Sequence, residues 1–339
     1  MALDKIGYGA IGGGQFGELH ARALSELPIV DLVAVCSRRP ERARELAEKY
    51  GARRWYTDYR QLVADDEIQA VHVVTAETEH RDPTVAAAQA GKHILLEKPI
   101  AMSLEDADAM IAAAEAAGIF FQVAHILRFD PRYVMAKEEI ERGAVGRIVS
   151  MYARRNIPAR ISGHYLQRVS SLVDDALHDT DLMLWYAQDR ITEVYASAVS
   201  ARNLPHPDVA WCIHRFSQGA LGVCEDAWFL PDRTPYTIDA RLEVIGTDGA
   251  LYVDMGEKGL AVHDREGVRF PDPLHWPVYH GRLGGTLKEE IRHFAECVLT
   301  GQPPRIQSPH EARAALEAVL AAEESLRTGQ PVRLPVSAG

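Results

Sequence analysis

The chain has 339 residues, 47% of them hydrophobic and 25% charged, with a formal net charge of −11. That length allows two domains of ordinary size with substantial cores. The acidic excess argues against a phosphate-backbone binder, which shows as a basic patch or stripe, so no nucleic-acid partner is expected. The four cysteines are scattered without a CxxC pair. No metal or redox motif is therefore expected, and a reducing cytoplasm is the expected location. No uncharged apolar run approaches bilayer length, residues 1–5 carry no signal-peptide pattern, and no internal repeat is visible.

The first 125 residues alternate strand and helix signals. Residues 8–11 read as a strand, 12–17 as a glycine-rich turn, and a helix runs on to about Leu24, closed by Pro28. A strand over 30–36 is followed by a helix that opens on Pro40 and stops at Gly51. Residues 69–75 form the next strand, and Asp82 and Pro83 start a helix that ends at Gly91. The apolar run 93–96 is a buried strand. Ser103 and Asp106 make a capping-box pattern for a helix to Ala117, and 119–124 is a further strand. This alternation implies βαβ units and a parallel sheet.

The second half reads differently. A helix covers 131–142 and is broken by Gly143 and Gly146; a strand follows at 148–155 and a helix at 174–186. Strand-like runs then succeed one another at 194–201, 210–216, 221–228, 240–245 and 250–253, which implies a largely antiparallel sheet with one open face. Helices at 283–299 and 310–327 close the chain. The shift in pattern divides it into domains 1–125 and 126–339.

Three constellations carry chemistry. Gly12-Gly13-Gly14-Gln15-Phe16-Gly17 fits G-x-G-x-x-G, follows a predicted strand and opens a helix in the first βαβ unit. In that context the motif reads as a dinucleotide site: Gly12 allows the turn, Gly14 lets backbone approach a pyrophosphate, and Gly17 lets helix and strand pack closely. The helix N-terminus, with Gln15 and Phe16, then faces the phosphates. A dinucleotide fold selective for NAD usually places an acid about 20 residues later. Here that place holds Ser37, followed by Arg38 and Arg39. A hydroxyl and guanidinium groups suit a 2′-phosphate, so the expected cofactor is NADP or NAD, with a lean to NADP. Arg38 stacked on adenine would serve either.

The second is His93-Ile94-Leu95-Leu96-Glu97-Lys98-Pro99, a buried strand that ends in a charged pair. Lys and Glu are seldom buried without partners, and ligands of open α/β sheets sit outside the carboxyl ends of strands. The third is Asp174-Asp175-Ala176-Leu177-His178-Asp179-Thr180-Asp181. On a helix, Asp174 and His178 share one face, with Asp181 a turn further on. A carboxylate beside an imidazole raises its pKa and orients the ring, which suits removal of a proton from an alcohol as its carbon loses hydride. Asp175 and Asp179 read as an acidic helix start. No plausible metal-ligand set accompanies these residues, so the expected metal is none. Trp211, Trp228, Trp276 and Tyr279 read as core more readily than as a sugar platform.

Taken in order, these motifs resemble the glucose–fructose oxidoreductase / inositol dehydrogenase (Gfo/Idh/MocA) family over nearly the whole chain. Thr75 and His80 after the strand, Gly91-Lys92-His93, and the run His125-Ile126-Leu127-Arg128-Phe129-Asp130-Pro131 add to the likeness. The resemblance implies an α/β protein: an N-terminal Rossmann dinucleotide-binding domain plus a C-terminal α/β domain with an open, largely antiparallel sheet. It implies that Lys98 hydrogen-bonds the reacting hydroxyl and positions the nicotinamide, that His178 is the acid/base, and that Asp174 orients substrate or His178. Thr75, His80 and Glu97 fall on the cofactor side, Lys98–Pro99 becomes a cis peptide, and Arg128, Asn156 and Tyr165 contact substrate. The chain departs from the pattern at Ala76, where many relatives have proline, and at Ser37.

The implied activity is NAD(P)-dependent hydride transfer with a secondary alcohol of a sugar, sugar derivative or inositol. An alternative on the same residues is a redox-neutral glycosidase or lyase that oxidises its sugar transiently. A non-catalytic dinucleotide-binding regulator is disfavoured, because Lys98, Asp174 and His178 are all retained. The implied partners are a small polyol or sugar and further copies of the chain, in a dimer or tetramer formed by pairing open sheet faces.

Overall fold

The computed structural model describes residues 5–254, 260–265 and 267–335; residues 1–4, read above for a targeting signal, lie outside it. In chain order the elements are β1 (Ile6–Ile11), α1 (Gln15–Ser25), β2 (Val30–Cys36), α2 (Pro40–Tyr50), β3 (Arg54–Tyr56), α3 (Tyr59–Val63), β4 (Ala70–Val73), α4 (Arg81–Gln89), β5 (His93–Glu97), α5 (Leu104–Ala117) and β6 (Phe121–Ala124). There follow α6 (Pro131–Glu141), β7 (Ile148–Asn156), α7 (Ala159–Tyr165), a π turn (Leu172–Ala176), α8 (Leu177–Ala187), β8 (Ile191–Val199), β9 (Val209–Phe216), β10 (Leu221–Ala227), β11 (Asp239–Gly246) and β12 (Ala250–Asp254). The chain ends with β13 (Val262–Asp264), β14 (Gly267–Arg269), β15 (Val278–Tyr279), β16 (Arg282–Leu283), α9 (Thr286–Thr300), α10 (Pro309–Thr328) and β17 (Val332–Arg333).

Two units result. The first comprises Met1–Phe129 with Leu274–Arg313, the second Asp130–Pro273 with Ala314–Gly339. The expected boundary at 125/126 is thus close to the first crossing. The expectation that everything after it forms the second domain is corrected for 274–313. The reason is the amphipathic face of α9: Leu287, Ile291, Phe294 and Ala295 are buried in one cluster with Tyr8, Ala10, Leu24 and Leu27 of the first unit.

The first unit is a six-stranded parallel sheet in the order β3-β2-β1-β4-β5-β6. Its central strands β1 and β4 are buried at every residue, and His72 on β4 is the one ionisable side chain in them apart from Tyr8, as strands covered on both faces require. Local signals stop and start the helices as read. Pro40 opens α2 and Gly51, at φ 72°, ends it; Ser103 caps α5 by accepting from Asp106 N. The order in which strands are added reverses between β1 and β4, with β2 and β3 on one side of β1 and β4 to β6 on the other, which makes their carboxyl ends the topological switch point where ligands of such sheets bind.

The second unit is built on a seven-stranded sheet in the order β12-β11-β7-β10-β9-β8-β17. All its pairings are antiparallel except β7 with β10. Burial alternates along β9 and β10, so one face carries the core and the other is open. The helix expected at 174–186 is instead a π turn followed by α8. Asp175 and Asp179 are buried rather than solvated, which corrects their reading as an acidic helix start.

Candidate functional site

The first unit gathers its sequence-predicted residues at the carboxyl ends of neighbouring strands: the glycine turn after β1, Ser37 after β2, Thr75 after β4, and Glu97 closing β5 with Lys98 next. Gly12 has φ +138°, and a Cβ there would overlap the Val74 carbonyl; a Cβ on Gly17 would overlap the Gly12 carbonyl. Gly14 differs, because an added Cβ would meet nothing within 4 Å. The turn is therefore closed where strand and helix pack and open where a ligand would approach. Gly14 is also the N-cap of α1 and supplies no side-chain cap, which leaves the first-turn N–H groups to an anion. An open backbone face on an uncapped helix end fits a dinucleotide pyrophosphate.

The turn is braced by residues that sequence reasoning missed. Arg42 Nε donates to Gly13 O at 3.1 Å, and its guanidinium also binds Glu18 and Glu45. Glu18 on α1 accepts from Lys49 at 2.6 Å and from Tyr50 at 2.9 Å. Lys49 and Arg42 hold its carboxyl down at about 2. Ser37 is buried and accepts from Arg39 N at 3.3 Å. Arg38 is largely exposed, and its guanidinium binds Glu79 at 2.7 Å.

At the end of β5 the charged pair is organised by buried partners. The Lys98–Pro99 peptide is cis, as the resemblance implied. Glu97 Oε2 accepts from Lys98 N at 3.1 Å, while Oε1 lies 2.9 Å from His20 Nε2. His20 Nδ1 is in turn 3.2 Å from His72 Nδ1. Burial pushes the His72 pKa well below its usual value, so this ring is neutral. His80, also buried and lowered by burial, sits 2.8 Å from Pro99 O and 3.3 Å from Thr75 O. Thr75 Oγ1 donates to Glu79 O at 3.2 Å. Thr75 and His80 therefore clamp the Lys98–Pro99 segment through backbone. No motif announced His20 or His72; the only signal was a histidine on the apolar face of α1 and another inside a buried strand.

The Arg128 side chain is fully buried and donates to Ile306 O and Glu311, each at 2.9 Å, which braces it within the first unit.

In the second unit, Asp174 ends up in the π turn and His178 near the start of α8. Both are half-buried, while their neighbours Asp175, Asp179, Thr180 and Asp181 are buried. Asp179 pairs with buried Arg155 on β7, at 2.7 and 3.3 Å. Asp226 on β10 is buried with both oxygens unpartnered. Burial pushes its carboxyl well above the usual range, and Asp175 and Asp179 add to the rise. Asn156, at the end of β7, is held within the sheet. Its Nδ2 donates to Glu225 at 2.9 Å and its Oδ1 accepts from Ala227 N at 2.7 Å, so both ends of the amide join β7 to β10. Tyr165 remains exposed at the end of α7, edge-on to Trp228.

The parallel sheet, the glycine turn at its switch point and the second, mostly antiparallel sheet define a two-domain dinucleotide-binding α/β protein. Residues 6–125 match the profile described as "Oxidoreductase family, NAD-binding Rossmann fold", and residues 133–252 match the "GFO/IDH/MocA C-terminal domain". The chain belongs to the Gfo/Idh/MocA oxidoreductase family. It is 30% identical to a myo-inositol 2-dehydrogenase of Thermotoga maritima over 334 residues, covering 96% of this chain and 98% of the relative. It is 31% identical to a scyllo-inositol 2-dehydrogenase (NAD(+)) of Bacillus subtilis, covering 96% and 95%. Among solved structures, the crystal structure of a probable dehydrogenase from Thermotoga maritima matches with a TM-score of 0.84 at 28% identity, over 97% of this chain and 99% of that one.

Proposed function

We propose that this protein is an NAD(P)-dependent dehydrogenase that oxidises a secondary alcohol of an inositol, a sugar or a sugar derivative. The observation that carries the reading is the meeting of two features at one end of one sheet. A glycine turn open at Gly14 ends β1, and the Glu97-Lys98-Pro99 segment ends β5, two strands away. The names of the relatives, inositol dehydrogenases aligned over nearly their full length, support the polyol class.

When bound, the nicotinamide dinucleotide supplies a hydride acceptor. The residues do the rest. The α1 N-terminus and Gly14 hold the pyrophosphate, with Gln15 and Phe16 in the same turn, and Ser37 and Arg38 read the adenosine ribose. A 2′-phosphate would have to draw Arg38 away from Glu79, whereas a 2′-hydroxyl leaves that pair intact; the lean to NADP depends on this competition. Lys98 donates a hydrogen bond to the reacting hydroxyl, held in place because Glu97 binds its backbone N–H. His178 takes the hydroxyl proton during oxidation and returns it during reduction, and Asp174 orients the ring or the substrate. Tyr165 offers an exposed hydroxyl to the polyol.

The oligomer proposed is a dimer or tetramer built on the open face of the second sheet. Tyr195, Trp211, Ile213, Leu221, Ile245 and Tyr252 are exposed on that one face, and clustered exposed apolar side chains mark interaction surfaces. The cytoplasm is the location proposed, since all four cysteines are free. No helix among the described residues is long and apolar enough to cross a membrane.

The test is a screen of NAD and NADP separately against inositols, aldoses, uronates and nucleotide sugars, followed at the reduced-nicotinamide absorbance. Growth of the band with one polyol supports the reading. Cofactor binding by calorimetry with no band on any substrate, together with release of a leaving group, would move the assignment to the redox-neutral alternative.

A further inference from the structure

Strand register in the second unit brings together side chains that lie apart in sequence. Cys212 and His214 are two residues apart on β9 and share its covered face; Cys224 on β10 is the register partner of Cys212. All three are buried. His214 Nε2 is 3.6 Å from Cys212 Sγ and 3.8 Å from Cys224 Sγ. Thr180 Oγ1, from α8, is 3.1 Å from the same nitrogen and 4.0 Å from Cys224 Sγ. The three ligand atoms all lie within 4.8 Å of one another.

A tetrahedral zinc ion with Zn–S near 2.3 Å and Zn–N near 2.0–2.1 Å sets its ligands about 3.6 Å (S to N) and about 3.8 Å (S to S) apart. The observed S-to-N distances match that spacing without any movement of the strands. The donor set is also selective: thiolate and imidazole favour zinc over the hard, oxygen-seeking cations. Charge favours the site as well. Two thiolates cancel the two positive charges of the ion, so the filled site is neutral and suits a buried location where a lone charge would not. Hydrogen bonds among the thiols, the imidazole and the hydroxyl would give similar distances, and His214 Nδ1 has no partner in the structure; the experiment below separates the two cases.

We propose that Cys212, His214 and Cys224 bind one zinc ion, with the Thr180 hydroxyl in the fourth position, fastening α8 to β9 and β10. On binding, two S–H bonds break, two Zn–S bonds form, and two protons leave to solvent. With the buried Thr180 hydroxyl in the fourth position, no place is left on the ion for a substrate. Its consequence for chemistry is indirect: it fixes the helix that carries His178 two residues before Thr180. The proposal does not rest on the dehydrogenase reading, because its readouts are metal content and a spectrum.

Tag-free protein is unfolded with a chelator and refolded with zinc or with cobalt(II), since a closed site loads during folding. Elemental analysis is expected to give about one metal ion per chain, and the cobalt form is expected to show thiolate-to-cobalt charge transfer. The double variant Cys212→Ser, Cys224→Ser is expected to lose both signals, while Cys36→Ser with Cys297→Ser keeps them. If the first variant does not fold, the wild-type cobalt spectrum decides by itself. Folded wild-type protein holding less than about a tenth of an ion per chain after refolding with zinc would overturn the proposal. So would a Cys212–Cys224 disulfide as the state of the purified protein.

Discussion

His20 and Glu97 are joined at 2.9 Å, Nε2 to Oε1, from helix α1 to the end of strand β5. The second oxygen of the same carboxylate accepts the backbone N–H of Lys98 at 3.1 Å. The Glu97 carboxylate is thus fixed on both sides, and what it fixes is the residue proposed to meet the reacting hydroxyl. Behind it, the His20–His72 contact extends the chain of polar groups into the core.

Glu97→Gln keeps the shape but replaces a charged acceptor with a neutral amide that can accept through only one atom. Charge-assisted hydrogen bonds are roughly twice as strong as neutral ones. We expect kcat to fall by about tenfold, with a smaller change in cofactor affinity, since one weakened positioning contact is worth on the order of a kcal/mol. Steady-state kinetics beside calorimetric cofactor binding check this; equal loss in both would place Glu97 on the cofactor instead.

The glycine turn makes a sharper contrast. Gly14 has open space and an extended backbone, φ −73° and ψ −176°, so Gly14→Ala is expected to fold with an unchanged melting temperature and lose cofactor affinity by about tenfold or more, as a backbone approach is blocked. Gly12→Ala is expected to destabilise the whole first unit, because φ +138° and the Val74 carbonyl leave no room for a side chain. Thermal melts with and without cofactor distinguish the two.

Glu79→Gln frees Arg38 from its carboxylate partner. We expect kcat/KM with NADP to rise relative to NAD, by on the order of threefold because the pair is exposed and screened. An unchanged ratio would show that Arg38 does not read the ribose.

Acid should weaken the fold through its buried histidines before most carboxylates titrate; Asp226, raised by burial, acts in the opposite direction. His72, His80, His93 and His293 all have pKa values lowered by burial. Below about pH 6.5 the unfolded chain binds protons that these native rings refuse, so stability is full above that pH and falls as pH drops through 6 towards 5. His72→Gln is expected to flatten that slope, measured by melting temperature between pH 7.5 and 5.5. An unaltered slope would show that His72 titrates natively.

Much of this architecture was legible because it rests on local rules. Pro40, Gly51, Ser103 and Gly118 mark helix ends through backbone conformation and capping, which neighbouring residues alone decide. The short strand β3 and helix α3 were missed, since Arg54–Tyr56 and Tyr59–Val63 carry too few apolar residues to show a period. Long-range partnerships were invisible for a different reason. Arg128 with Glu311, Asn156 with Glu225, and Asp179 with Arg155 join residues 183, 69 and 24 positions apart. A polar residue in a motif-like stretch names no intramolecular partner until the fold supplies one. The same holds for α9, whose apolar face does not say which core it will cover.

Lys98, at the end of β5 on the same sheet edge as the open glycine turn, is proposed to act on the reacting hydroxyl. Lys98→Ala tests that role most directly, with turnover of the substrate found in the polyol screen measured beside calorimetric binding of the cofactor. We expect kcat to fall by at least about a hundredfold, the usual range for a lost acid–base or positioning group, while the cofactor Kd changes by no more than a few-fold. Full turnover in the Lys98→Ala protein would contradict that role.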